Sequence, residues 1–153
     1  MDRTLVILKP DAVNRGIMGE IIHRFERKGL KIVALKMEHL GDKKLEEHYF
    51  HHKNKPFFKT LKKFMQSAPS VLMVVEGRMA VDVVRKMAGV THGIEADPGT
   101  IRGDYALSIQ QNIVHASDSL EAAKGEIERF FSAEEIHSYK RIDFEMLYSE
   151  DER

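Results

Sequence analysis

The sequence predicts an α+β fold. It is a ferredoxin-like split β-α-β arrangement: a four-stranded antiparallel sheet, helices packed on one face, and a long loop before the last strand. Three observations lead there. Short β-branched runs alternate with amphipathic stripes in the order β-α-β-(αα)-β-α-loop-β-α. Two βαβ halves fit within 153 residues. No linker, repeat or low-complexity tract divides them, so a single domain over 1–153 is expected.

The elements follow in order. Thr4–Leu8 is a fully apolar strand that Pro10-Asp11 ends. Met18, Ile21, Ile22 and Phe25 recur at helical spacing, and Gly29 closes that helix. Leu30–Glu38 reads as a strand with Val33, Leu35 and Met37 facing inward. A helical region broken near Pro56 resumes with Phe57, Phe58, Leu61, Phe64 and Met65. Val71–Val75 is a third strand, and Ala80, Val83, Val84 and Met87 form the next stripe. Ala88–Gly103 shows no period and carries four glycines and a proline, which predicts a functional loop. Ile109–His115 is the fourth strand candidate. Asp118 with Glu121 predicts a cap for a helix striped by Leu120, Ala123, Ile127 and Phe130. Ser132 and Glu135 cap a further short helix, and the polar tail Ser149–Arg153 is expected to fray.

Composition narrows the function. Apolar residues make up 42% and charged residues 31%, the balance of a folded globular chain. Lys plus Arg and Asp plus Glu number 24 each, which argues against a broad nucleic-acid or membrane-surface binder but leaves room for a local basic pocket. Cysteine is absent, so disulfides, thiolate nucleophiles and zinc–thiolate sites are excluded. The longest aliphatic run, Val71–Val75, is far short of the ~20 residues of a membrane helix. A first strand starting at Thr4 leaves no space for a signal peptide, so a cytoplasmic protein is expected.

The common glycine-rich phosphate loops and the nucleophile elbow are missing. Any phosphate chemistry would therefore rest on side chains. His115 is the leading candidate. It sits in Asn112-Ile-Val-His-Ala-Ser-Asp118, between an apolar strand and a capped helix, where free N–H groups and the helix dipole favour an anion. A neutral imidazole there can attack phosphorus without a separate base. Spacing alone also allows a hydrogen-bonded structural histidine. Glu126, about two turns into the helix, could hold the ring. Lys9, Arg85 and Arg102 lie at element ends or in the loop, where ligand residues collect, and the two guanidinium groups can grip phosphate oxygens bidentately; each alone reads more plainly as a surface cation, and their joint placement with His115 is the informative fact. Phe57 and Phe58 cannot both face the core squarely, and an exposed ring beside an anion site suggests a platform for a base, with core packing the commoner explanation for such a pair. His48 and His52, at i and i+4, form a weak metal pair in a charged segment, where solvated histidines are the plainer reading.

Taken together these segments are recognisable. Thr4-Leu-Val-Ile-Leu-Lys-Pro-Asp11, Arg15-Gly16 with Gly19-Glu-Ile21, Glu47-His-Tyr49, Lys55-Pro-Phe-Phe58, Pro98-Gly-Thr-Ile-Arg-Gly-Asp104 and Asn112-Ile-Val-His-Ala-Ser-Asp-Ser119 closely resemble nucleoside diphosphate kinases over nearly the whole chain. The last matches the family's N-x-x-H-[GA]-S-D signature. The resemblance implies a double displacement, in which the γ-phosphoryl group of a nucleoside triphosphate passes to Nδ1 of His115 and then to a diphosphate. It implies that Glu126 and Ser117 support the ring and the transferred group. Arg85, Thr91 and Arg102 would grip phosphates, and Lys9 and Asn112 would contact ribose hydroxyls. Lys9 and Tyr49 would also lie near the transferred group, and Phe57 and Leu61 would hold the base. Mg²⁺ would arrive on the nucleotide phosphates, with no dedicated protein site.

Ala12 and Ala116 stand where glycine is frequent in the family, both small changes. Gly93 stands where many members have proline, and Arg141–Tyr148 lacks the tryptophan of many hexameric members. The resemblance still favours a homo-hexamer over a tetramer. A nucleotide- or nucleic-acid-binding regulator on the same fold is the alternative function, with neutral charge and the intact histidine motif against it.

Overall fold

The computed structural model describes all residues, Met1–Arg153. Four strands form the sheet: β1 (Asp2–Leu8), β2 (Lys31–Glu38), β3 (Ser70–Gly77) and β4 (Val114–Ala116). Their order is β2-β3-β1-β4, and every neighbouring pair is antiparallel. This is the expected split β-α-β sheet. Eight α-helices connect and cover it: α1 (Pro10–Asn14), α2 (Met18–Arg27), α3 (Asp42–His48), α4 (Phe58–Met65), α5 (Ala80–Ala88), α6 (Ile101–Tyr105), α7 (Leu120–Phe130) and α8 (Phe144–Leu147). No helix is long and apolar enough to cross a membrane.

The helices lie on both faces, a correction to the one-face expectation. Successive residues of β1 point to opposite sides. Val6 and Leu8 pack with Ile21 and Phe25 of α2 and with Ala80 and Val84 of α5. Leu5 and Ile7 pack with Leu45 of α3, Leu61 and Met65 of α4, and Ile127 and Phe130 of α7. β1 and β3 are apolar on both sides because both sides are covered, as in strands sandwiched between layers.

Other elements depart from the sequence expectation for local reasons. The fourth strand covers only Val114–Ala116, because Ile113 takes a left-handed φ of 73° that breaks the ladder before it. Leu35 and Met37 are exposed, because a register shift between Ile32 and Ala34 turns β2 over so that Val33 and Ala34 are both buried. Pro10 and Asp11 open helix α1 rather than a plain turn; a proline fits the first helical position. The 88–103 stretch is not structureless: it holds a 3₁₀ turn at Gly93–Glu95 and the start of α6. Ser119, not Asp118, caps α7, its hydroxyl accepting from the Ala122 amide at 3.1 Å, and Leu120 is exposed. Ser132–Glu135 does form a capping box, and Glu150–Glu152 forms a 3₁₀ turn in the tail.

Phe25 has no exposed surface and anchors the α2 side of the core. Phe25→Ala is expected to cost about 3–5 kcal/mol in urea unfolding. Ile142→Ala, at a position 95% exposed, should change stability by less than about 0.5 kcal/mol. Equal effects would contradict this packing.

Candidate functional site

One cavity of about 690 Å³ opens where β4, the α3–α4 hairpin and the 88–112 segment meet, within the range of small-ligand sites. It gathers most of the residues singled out from the sequence. Lys9, Tyr49, Phe57, Leu61, Arg85, Thr91, Arg102, Asn112, His115 and Glu126 line it; Ser117 lies behind them, fully buried.

Strand pairing explains the aim of His115. It sits opposite Ile7 of β1, so its ring shares the face of Leu5 and Ile7 and meets α3 and α7. Its Nε2 lies 2.9 Å from Glu126 Oε2. The Ser117 hydroxyl donates to the same oxygen at 2.6 Å. Burial pushes the Glu126 carboxyl up, but the hydrogen bond and charge of His115, the Ser117 hydroxyl and the Arg129 cation together hold it below its ordinary value. An ionised carboxylate only accepts, so His115 donates from Nε2. The side chain keeps 18% exposure. The arrangement therefore leaves Nδ1 free of Glu126 on a ring that lines the cavity.

The cations are built in. Lys9 follows β1 directly and is buried, its ammonium donating to Asn112 Oδ1 at 2.7 Å and to the Gln110 carbonyl at 3.3 Å. Burial and the nearby Arg102 charge lower its pKa to about 8, against a smaller upward pull from Asp11. Arg102 donates to the carbonyls of Gly89 and Val114, both at 2.7 Å, and to that of Asn112 at 3.4 Å. Burial and the Arg85 charge bring it down to about 10, while Asp118 pulls upward. Arg85 is the exposed cation: it pairs with Asp118 at the rim and is half exposed. Helix α6, which carries Arg102, can turn only because residue 103 is glycine; a Cβ there would lie 1.9 Å from the Asp97 carbonyl oxygen.

Asn112 is a junction. Its amide nitrogen donates to the carbonyls of Thr91 and Ile109, both at 2.9 Å, while its oxygen accepts from Lys9. Phe58 turns inward and leaves Phe57 38% exposed at the cavity mouth, with the His52 ring 5.2 Å away and buried Leu61 also lining the cavity. Tyr49 buries its hydroxyl without a partner, and burial, then the Glu126 charge, raises its pKa.

Two residues went unread in the sequence. His48 is 5% exposed rather than solvated, its ring 4.5 Å from that of His115. The histidine pair at 48 and 52 forms no ligand set; the group within 4.8 Å is His48, His115 and Glu126. Asp11 accepts from the Ile113 amide at 3.0 Å and so clamps the left-handed residue before His115. Neither contact has a local sequence signal, since partners lie 67 and 102 residues apart.

A family profile described as Nucleoside diphosphate kinase matches residues 2–136. The chain belongs to the nucleoside diphosphate kinase family. A nucleoside diphosphate kinase of Staphylothermus marinus is 60% identical over 135 residues, 88% of this chain and 96% of that protein. One from Parabacteroides distasonis is 52% identical over 152 residues, 99% of each chain. Among solved structures, a halophilic nucleoside diphosphate kinase from Halobacterium salinarum in complex with CDP is similar with a TM-score of 0.94 and 41% identity, covering 97% of this chain and 99% of that one. A nucleoside diphosphate kinase family protein from Babesia bovis gives 0.93 and 42%, covering 97% and 100%.

The low pKa of Lys9 makes a stability prediction for this nucleoside diphosphate kinase chain. The folded group titrates at about 8 and the unfolded one at 10.5. Between those pH values the unfolded state holds a proton that the folded state has released, so stability from this group rises with pH. Urea midpoints should therefore move in favour of wild type over Lys9→Met between pH 7 and pH 10. A gap that stays constant would mean that Lys9 is not titrating in the folded protein.

Proposed function

We propose that this chain, acting as a single domain over 1–153, moves the γ-phosphoryl group of a nucleoside triphosphate to a nucleoside diphosphate through a phosphohistidine at Nδ1 of His115. One observation carries the reading: Nε2 of His115 is tied to Glu126, which leaves Nδ1 unengaged on a ring that lines the same cavity as Lys9, Arg85 and Arg102. Membership of a kinase family makes the chain a phosphotransferase and supports reading the cavity as its nucleotide slot.

The chemistry follows from these parts. Phosphoryl transfer needs positioning and charge compensation more than covalent assistance. Nδ1 attacks phosphorus, the bond to the bridging oxygen breaks, and the diphosphate departs with the electron pair. His115 keeps its Nε2 proton throughout, and Glu126 compensates the positive charge gained by the ring. Ser117 holds Glu126 in place. Arg85 and Arg102, with Thr91, bind phosphate oxygens; Lys9 and Tyr49 flank the transferred group, and Lys9 and Asn112 contact the ribose. Phe57 stacks on the base above Leu61. A stacking contact uses the π-face every base has, so discrimination among bases is weak. The reverse steps load an acceptor in the same slot.

Mg²⁺ fits as an ion carried by the substrate. The carboxylates lining the slot are Glu126, already bonded to His115 and Ser117, and Asp118, paired with Arg85. Neither forms a cage, so the nucleotide phosphates would hold the ion, which would neutralise phosphate charge. Exposed Val90, Ile94, Leu107 and Ile109 on one segment, and Leu35 and Met37 on edge strand β2, support a homo-oligomer; the family resemblance puts a hexamer ahead of a tetramer. Light scattering of the pure protein decides its size.

The test is acid-labile, base-stable labelling by γ-labelled ATP with Mg²⁺. Wild type should take label and release it to GDP; His115→Asn should take none, and label on that variant would refute the assignment. Arg85→Ala should lower kcat/KM by about 10²–10³-fold, the scale of losing one transition-state donor; an unchanged value would remove Arg85 from the phosphate path. Phe57→Ala should weaken ADP and CDP by similar amounts, about 1–3 kcal/mol, read by calorimetry. An effect on one base alone would point to edge recognition instead of stacking.

A further inference from the structure

Five buried side-chain polar atoms have no hydrogen-bond partner, and three belong to one segment beside the cavity: His48 Nε2, the Tyr49 hydroxyl and His52 Nδ1. Buried polar atoms are normally satisfied, so a cluster of bare ones on residues that line a slot points to partners that come with a ligand. His48 is the most constrained of the three. It ends α3, and its ring meets His115 edge to face at 4.5 Å, Tyr49 at 4.6 Å and Phe130 at 5.2 Å. Arg129 Nη1 stands 3.4 Å from Nδ1. A guanidinium only donates, so Nδ1 accepts and the proton of the neutral ring sits on Nε2. Burial first, then the charges of His115, Arg129, Lys9 and His51, keeps the ring neutral. The result is a fixed N–H donor next to the nucleophile, with nothing to donate to.

We propose that His48 is a further catalytic residue, whose Nε2–H donates to an oxygen of the phosphoryl group as that group passes to and from His115. This rests on the phosphohistidine reading above. The N–P bond forms at His115 Nδ1, the bond to the leaving diphosphate breaks with its electron pair, and His48 gives a hydrogen bond without giving up its proton.

Rapid-quench phosphorylation by γ-labelled ATP with Mg²⁺ tests it. His48→Phe keeps the aromatic packing but loses the donor; its phosphorylation rate should fall about tenfold, the size of one hydrogen bond, with ADP affinity unchanged. His48→Gln places an amide N–H at similar reach and should recover most of the rate. A His48→Phe variant as fast as wild type overturns the proposal, and so does a glutamine variant as slow as the phenylalanine one. Should the phenylalanine variant not fold, the wild-type protein supplies the second route: nitrogen-15 spectra of its His48 ring should show protonation at Nε2, and protonation at Nδ1 alone would overturn the proposal. Absence of label on wild type itself would instead fail the His115 reading.

Discussion

The hydrogen bond between His115 and Glu126 is the constraint on which the slot depends. It fixes which imidazole nitrogen carries the proton, and so which is free. Two elements distant in sequence make it possible. β4 pairs with β1 and sets the face of the ring, while α7 packs on the same face and brings Glu126 within 2.9 Å. Ser117 ties the pair to the centre of the sheet, since its hydroxyl also engages the backbone of Leu5. A carboxylate held by two donors in a partly buried place is costly to reorient, and this makes it a steady support for the His115 ring.

The cations around that ring are held in a state that favours an anion. Lys9 and Arg102 lose hydration on burial, the Arg102 charge lowers Lys9 further and the Arg85 charge lowers Arg102, and backbone carbonyls and Asn112 only partly replace water. Placing a phosphate among them relieves that mutual repulsion, which is how a site preorganised for negative charge works. The neutral total charge of the chain conceals this local concentration.

Backbone strain contributes to the same end. Ile113 is a β-branched, fully buried residue with φ 73°, a conformation that such side chains rarely adopt. It is held from both sides: its amide donates to Asp11 and its carbonyl accepts from the Lys9 amide at 2.9 Å. The loop from α1 and the strand bearing His115 are therefore one unit, joined by the Lys-Pro-Asp segment.

Much of this was written in local pattern. The alternation of β-branched runs with helical stripes determined the strand and helix order, the Phe57–Phe58 adjacency determined that one ring would be exposed, and the motif around His115 pointed to the slot's centre. These signals survive because period and residue type act over a few neighbours. Tertiary structure decided the rest. It covered both faces of the sheet, shortened the last strand, turned Leu35 and Met37 outward through a register shift, gave the cap of α7 to Ser119 and left Asp118 to Arg85. It also drew His48 out of a charged stretch into the wall of the slot. A contact between residues dozens of positions apart depends on how whole elements pack, and no short window of sequence holds that information.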